Sequence, residues 1–98
     1  MKEEQMIGLM LEQIPQPGFL VQADKIIQVN QAAQALLLSP GMAFSPMLET
    51  GAEEYAEFQS GQMYLTLAAA GQHWGAAVTR MADQDLILLE PREDPEEF

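Results

Sequence analysis

The sequence predicts an α+β domain in which short helices pack on one face of an antiparallel sheet. Three observations carry that reading. Residues 19–22 and 26–29 are apolar-rich runs joined only by Ala23-Asp24-Lys25, the spacing of a tight hairpin. Residues 63–70, 73–81 and 85–90 are three further runs, separated by Gly71-Gln72 and Ala82-Asp83-Gln84. Connections that short join neighbouring antiparallel strands. Between the two sets lies the stretch 31–59, whose alanines, caps and apolar spacing suit short helices.

The elements follow in order. Over 3–14 an amphipathic helix is expected, because Ile7, Met10, Leu11 and Ile14 fall on one helical stripe, which Met6 and Leu9 widen. Pro15 stops it and Pro17-Gly18 marks a turn. In the first hairpin, Asp24 is one of the few non-glycine types that tolerates positive φ. Asn30 caps a helix over 31–38, since its side-chain oxygen can accept an orphan amide of the first turn. Ser39-Pro40-Gly41 ends that helix. Ser45-Pro46 starts another, with Ser as cap, Pro at the first helical position, and Met47 and Leu48 on its apolar side. A third short helix spans 52–59, with Tyr55 and Phe58 on one face and Glu53, Glu54 and Glu57 on the other, a solvated face. In the last strand Leu86-Ile87-Leu88-Leu89 is apolar at every position, so both faces should be covered. The helices of 31–59 supply one cover; the N-terminal helix, its own or a partner's, supplies the other.

The chain has 98 residues, 48% of them apolar, with 15 acidic and 4 basic side chains, a net charge of −11 and no cysteine. That length makes one domain. Lys2, Lys25, Arg80 and Arg92 cannot form the basic face that displaces counterions from nucleic-acid phosphates, nor would the chain be drawn to an anionic membrane. No run approaches the length of a membrane span, and Met1-Lys2-Glu3-Glu4 lacks the pattern of a signal peptide. Without cysteine there are no disulfides, thiolate metal sites or cysteine nucleophiles. A cytoplasmic setting fits. Glu93-Asp94-Pro95-Glu96-Glu97 reads as a solvated tail or linker. The expected division is therefore an N-terminal helix at 1–15, a globular domain at 16–91, and an acidic tail at 92–98.

The order helix, two strands, several short helices, three strands resembles that of PAS domains, the small sensory modules of bacterial signalling proteins. The resemblance covers residues 12–91 and is sharpest from Phe19 to Ala33. PAS sequences typically carry an Asp-Gly turn, an Ile, and a strand ending in Asn before an alanine-containing helix. Here Val29-Asn30 is that junction, and Asp24 stands where the family often has glycine. Trp74 to Arg80 and Leu86 to Glu90 are similar to the last two strands of the family. The resemblance implies a profilin-like five-stranded antiparallel sheet in the order 2-1-5-4-3, with the last strand central beside the first. It also implies an N-terminal helix that mediates dimers, and a C-terminal link to an output domain in the same parent chain. The function implied is a non-catalytic sensory and dimerisation module of a cytoplasmic two-component sensor histidine kinase. The alternative is a protein-interaction scaffold of related α+β topology, profilin-like or roadblock-like, that binds no small ligand.

No catalytic residues are assigned. His73 is the single histidine, with no metal-ligand pair and no triad, and phosphate-loop and kinase ATP-binding motifs are missing. No cofactor is expected. The flavin-photosensing PAS type needs a cysteine, and His73 beside a turn is a poor haem ligand, which leaves methionine ligation open. A small-molecule pocket between helices and sheet would have a helical wall of Leu36, Leu37, Phe44, Met47, Leu48, Tyr55 and Phe58. Tyr64, Trp74 or Arg80 would supply polar contacts from the strands. The competing reading is that these side chains simply fill the core. Ile7, Met10, Leu11 and Ile14 would form either a homodimer seam or a cap over the chain's own sheet.

Overall fold

The computed structural model describes residues 11–59 and 61–91. It is an α+β fold with one six-stranded antiparallel sheet: β1 Gly18–Gln22, β2 Lys25–Val29, β3 Leu48–Thr50, β4 Gln62–Ala69, β5 Gln72–Met81 and β6 Gln84–Pro91, in the spatial order β2-β1-β6-β5-β4-β3. The helical pieces are a turn at 11–13 (α1), α2 Gln31–Gln34, a 3-10 turn at Ser45–Met47, and α3 Ala52–Glu57. The five expected strands keep their expected relative order, and β6 lies between β1 and β5.

The sixth strand corrects the sequence reading. Residues 48–50 were expected to continue a helix from Ser45, but the helical geometry stops at Met47 and Leu48 turns extended. Leu48 and Thr50 then pair with Leu67 and Thr66 at the free edge of β4, where the Thr50 and Thr66 hydroxyls lie 2.6 Å apart. The open ladder edge of β4 outweighs the weak preference of a three-residue turn. Ser45 is not the cap either; its amide and hydroxyl both donate to Asp24 Oδ1, at 3.0 and 2.6 Å.

The helix expected over 31–38 is also shorter than its alanines suggested. It closes at Gln34 with paired return bonds, Leu37 N to Gln34 O at 2.9 Å and Leu38 N to Ala33 O at 3.4 Å. Those bonds place Leu37 at the left-handed position after the helix, with φ 66°, where glycine is usual.

The β1–β2 and β4–β5 turns are each built on two successive residues of positive φ. Ala23 and Asp24 have φ 51° and 64°, and Ala70 and Gly71 have 53° and 75°. Two successive left-handed residues twist the chain in the sense the flanking strands need.

The sheet separates two apolar clusters. On the helix side, Phe19, Val21, Leu65, Leu67, Ala76, Val78, Ile87 and Leu89 are buried under Ala33, Leu38 and Phe44. Phe44 stands edge-on to Phe19 at 5.8 Å. On the other side Leu11 and Leu20 are buried, with Ile14, Met81 and Leu86 packed beside them. The last strand is therefore fully buried at Ile87 and Leu89 but only half-buried at Leu86 and Leu88. Gly18 allows α1 to sit this close, because a Cβ there would fall 2.9 Å from both Leu11 Cδ1 and Leu88 Cδ2. Pro91 ends β6 opposite Trp74.

Asn30 ties these parts together. Its Oδ1 accepts from Ala33 N at 2.9 Å, the expected cap, and from Gly18 N at 3.1 Å. Its Nδ2 faces the carbonyls of Leu11, Ile14 and Gln16 at 3.2, 3.3 and 2.9 Å. One buried amide thus joins α1, the start of β1 and the start of α2.

Replacing Asn30 by Ala strands two amides and three carbonyls, so urea denaturation should show a loss of about 3 kcal/mol. Asn30→Asp keeps the acceptor but sets a carboxyl against three carbonyl oxygens, which raises its folded pKa. The penalty should be small at low pH and should grow as pH rises through the ordinary aspartate range near ~4. Leu37→Gly relieves the left-handed leucine and should raise stability by about 0.5–1 kcal/mol in the same assay, after the extra entropy of an unfolded glycine is counted.

Candidate functional site

The polar side chains of the helix side converge at one end of the sheet. Asp85 lies second in β6, opposite Val21 of β1 and Arg80 of β5. It is 4% exposed. A buried carboxylate is costly unless it is paired and hydrogen-bonded, and Asp85 receives three donors. Tyr55 Oη donates to Oδ2 at 2.5 Å. Arg80 donates from Nε to Oδ1 and from Nη2 to Oδ2, the latter at 3.0 Å, a two-point grip matched to carboxylate geometry. Arg80 Nη1 donates onward to the carbonyl of Phe58 at 3.0 Å, and the guanidinium carbon lies 4.7 Å from the centre of the Phe58 ring.

Position in the fold explains this convergence. The tight β5–β6 turn sets Met81 opposite Gln84, so Arg80 and Asp85 become cross-strand neighbours on the helix side. Tyr55 and Phe58, three apart, turn one side of α3 toward them. The Tyr55 ring also stands edge-on to Phe44 at 5.2 Å. Burial pushes the Tyr55 hydroxyl well above the ordinary tyrosine range, and the hydrogen bond to Asp85 adds to that shift. Its hydrogen bond to Asp85 likewise holds the Arg80 guanidinium protonated more firmly than usual.

Beside this network lies a cleft of about 350 Å³, walled by Ala52, Tyr55 and Ala56 of α3, by Val21, Ala23 and Asp24 of the first hairpin, and by Ser45, Arg80, Asp83 and Asp85. Asp83 is steadied by Gln22, whose Nε2 donates to its Oδ2 at 2.6 Å. A second, apolar recess of about 250 Å³ is lined by Leu36, Leu37, Leu38, Met42, Met47 and Ala68–Ala70. Leu37 is 80% exposed at its rim.

The residues expected to form one pocket are divided among these places. Tyr55 and Arg80 line the polar cleft, while Leu36, Leu37 and Met47 line the apolar recess. Phe44 is buried in the core, against which Leu48 and Phe58 also pack. Trp74 is buried, with Nε1 donating to the Ala69 carbonyl at 3.1 Å. Tyr64 lies on the opposite face of the sheet, 59% exposed, covering Gly75 and donating to Glu90 at 3.1 Å. Of the four residues expected to face a dimer partner or cap the sheet, Leu11 is buried on the chain's own sheet with Ile14 beside it. Ile7 and Met10 lie outside the described residues, as does the tail 92–98.

His73 is exposed, its Nδ1 2.6 Å from Glu49 Oε2. Among the described residues no group of three or more His, Asp and Glu side chains is placed to hold a metal ion, and no helix is long and apolar enough to cross a membrane.

Sequence reasoning missed Asp85 and Asp24 as organising groups. Asp85 looked like the start of a strand, and its opposite charge across a tight turn from Arg80 was the available signal. For Asp24, whose value seemed only to be its tolerance of positive φ, no local pattern announces the long-range bonds to Ser45. No protein-family model matches the sequence, and comparison with curated proteins finds no match.

The network has a defined alkaline response. The Tyr55 hydroxyl has a raised folded pKa, so the folded state holds its proton after an unfolded tyrosine has lost one. Stability should therefore be level below the ordinary tyrosine value near ~10 and should fall as pH rises past it. In Asp85→Asn the hydroxyl no longer faces a carboxylate. Absorbance titration of the phenol should then show Tyr55 ionising at lower pH than in the parent protein.

Proposed function

We propose that the chain is a non-catalytic, PAS-like sensory and dimerisation module of a cytoplasmic signal-transduction protein, the sensory part of a two-component histidine kinase. The observation that carries the reading is the strand order. An antiparallel sheet with its last strand between the first and the preceding one, and its short helices inserted between β2 and β4 on one face, is the arrangement the resemblance implies. The two recesses on the helix side offer small-molecule sites of different character, one polar and one apolar. Dimerisation would use the N-terminal stripe, and an output domain of the same parent chain would read the state of the sheet.

A protein-interaction scaffold is the second reading, favoured by the exposed Leu37 and Tyr64. Scaffolds present apolar and aromatic side chains to partners without needing a small ligand.

Two measurements separate them. In a thermal-shift screen of small metabolites on the isolated chain, the sensory reading expects at least one ligand that raises the midpoint, and expects Tyr55→Phe or Leu36→Ala to remove the effect. A screen with no stabilising ligand, together with capture of a protein partner that depends on Leu37 or Tyr64, favours the scaffold. In sedimentation equilibrium the chain should run as a dimer and the Met10→Glu, Ile14→Glu variant as a monomer. A monomer mass for the parent chain would remove the dimerisation part.

A further inference from the structure

The helix α3 is attached to the rest of the domain in an unusual way. None of its residues is buried. Ala52, Glu53, Glu54, Ala56 and Glu57 are exposed, and only Tyr55 and, just beyond the helix, Phe58 turn inward. Both are held by one network centred on a single carboxylate, through Tyr55 Oη to Asp85 and through the Phe58 carbonyl and ring to Arg80, which itself grips Asp85. The apolar attachment is limited to these two side chains, Tyr55 edge-on to Phe44 and Phe58 beside it, both partly buried against the edge of the core.

The segment is bounded by two glycines in the left-handed region, Gly51 and Gly61, both with φ 86°. Gly51 sits against Leu65, where a Cβ would come within 2.7 Å of the Leu65 Cβ, so this end is fixed by close approach. Gly61 has open space around its Cα. Its carbonyl accepts from Arg80 N at 2.9 Å, which anchors the far end to β5. Between these anchors, α3 forms one wall of the polar cleft.

From this arrangement we infer that residues 52–58 are a latched lid: α3 with Phe58 swings about Gly51 as one unit, and Asp85 is the catch that holds it shut beside the cleft. Closed, it covers the edge of Phe44 and walls the cleft. Open, it leaves Asp85 and Arg80 paired with each other and exposes them to solvent. An element held by few apolar contacts and one polar cluster belongs to the low-stability end of a fold, where local opening precedes global unfolding. The sign of the latch is clear from its chemistry. Tyr55 gives a neutral donor to a carboxylate already paired with Arg80, so losing Tyr55 frees the lid without leaving Asp85 unpaired. The lid does not depend on the sensory reading, since it would serve an interaction scaffold equally well.

Native-state hydrogen exchange on the full chain tests it. The amides of Tyr55 and Phe58 are hydrogen-bonded within the segment, to the Gly51 and Tyr55 carbonyls. In the parent protein they should exchange at least about tenfold faster than the buried ladder amides of β5 and β6, with rates insensitive to low urea concentrations, as expected of local opening. Tyr55→Phe keeps the ring and removes the catch. It should speed both lid amides about tenfold further, still without urea dependence. Glu54→Gln, on the exposed side of α3, should leave them unchanged. The inference is overturned if the lid amides share the rate and urea dependence of the ladder. It is equally overturned if Tyr55→Phe leaves the lid rates as they were, for then the short helix merely frays without reference to Asp85.

Discussion

The side chain of Asn30 is the constraint on which the rest of the molecule depends. An amide offers two acceptor lone pairs and two donor hydrogens, and here both ends are engaged by backbone groups from three separate segments. These bonds fix where β1 begins, where α2 begins, and where α1 lies against the sheet. The backbone adds one more, from Asn30 N to Gly18 O at 3.0 Å. With β1 set in this way, β6 can enter beside it in the register that places Leu20 opposite Leu86 and Val21 opposite Asp85. A one-residue slip there would turn Asp85 to the other face and Leu86 into the core. Placement of the polar cluster at one end of the sheet is thus a consequence of the turn at the other end of β1.

The two clusters make different demands on the chain. The helix-side core is built of large side chains at near-zero exposure, from Phe19 and Phe44 to Ile87 and Leu89, packed against one another in one cluster. The opposite face is thinner. It is sealed at Leu11 and Leu20 but only partly covered at Leu86 and Leu88, and it leaves Tyr64 exposed. A single sheet with its helices on one side must leave something like this, because half of each strand points away from the core.

Much of this was legible in the residues, and the parts that were not share a cause. The antiparallel hairpins followed from short connections and the burial of the last strand from the unbroken apolar run 86–89, both local signals, whereas the strand order was implied only by the family resemblance. The Ala23-Asp24 turn and the Asn30 cap were readable because their conformational preferences belong to the residue itself. What failed was decided by distant partners. Leu48 and Thr50 took strand geometry because an unpaired β4 edge lay beside them, and Ser45 gave up its cap to reach Asp24, 21 residues earlier in the chain. Leu37 stopped its helix early in a conformation leucine dislikes, because Leu38 was needed in the core. The candidate pocket divided for a related reason: residue type placed its members near the sheet, but the pleat alone decided that Tyr64 would point away from Trp74 and Arg80.

The filled core bears directly on how such a domain would respond to anything. A ligand cannot enter the centre of the helix side without displacing side chains that are fully packed, and each displaced methylene forfeits contacts that nothing replaces. The cleft beside α3 and the recess beside Leu37 offer room at its margins. Both margins are walled in part by elements that contribute no fully buried residue of their own, α3 in one case and the 3-10 turn at Ser45–Met47 in the other. A bound molecule can bias a domain only through an element with two accessible positions. In this fold those elements sit on the helix side, while β6, the strand they would have to influence, passes through the centre of the sheet. Asp85 is the residue common to both: it belongs to β6 by register and to α3 by hydrogen bonding. A displacement of α3 would therefore be felt at the central strand through the Tyr55–Asp85 bond as well as through the apolar contacts of Tyr55 and Phe58.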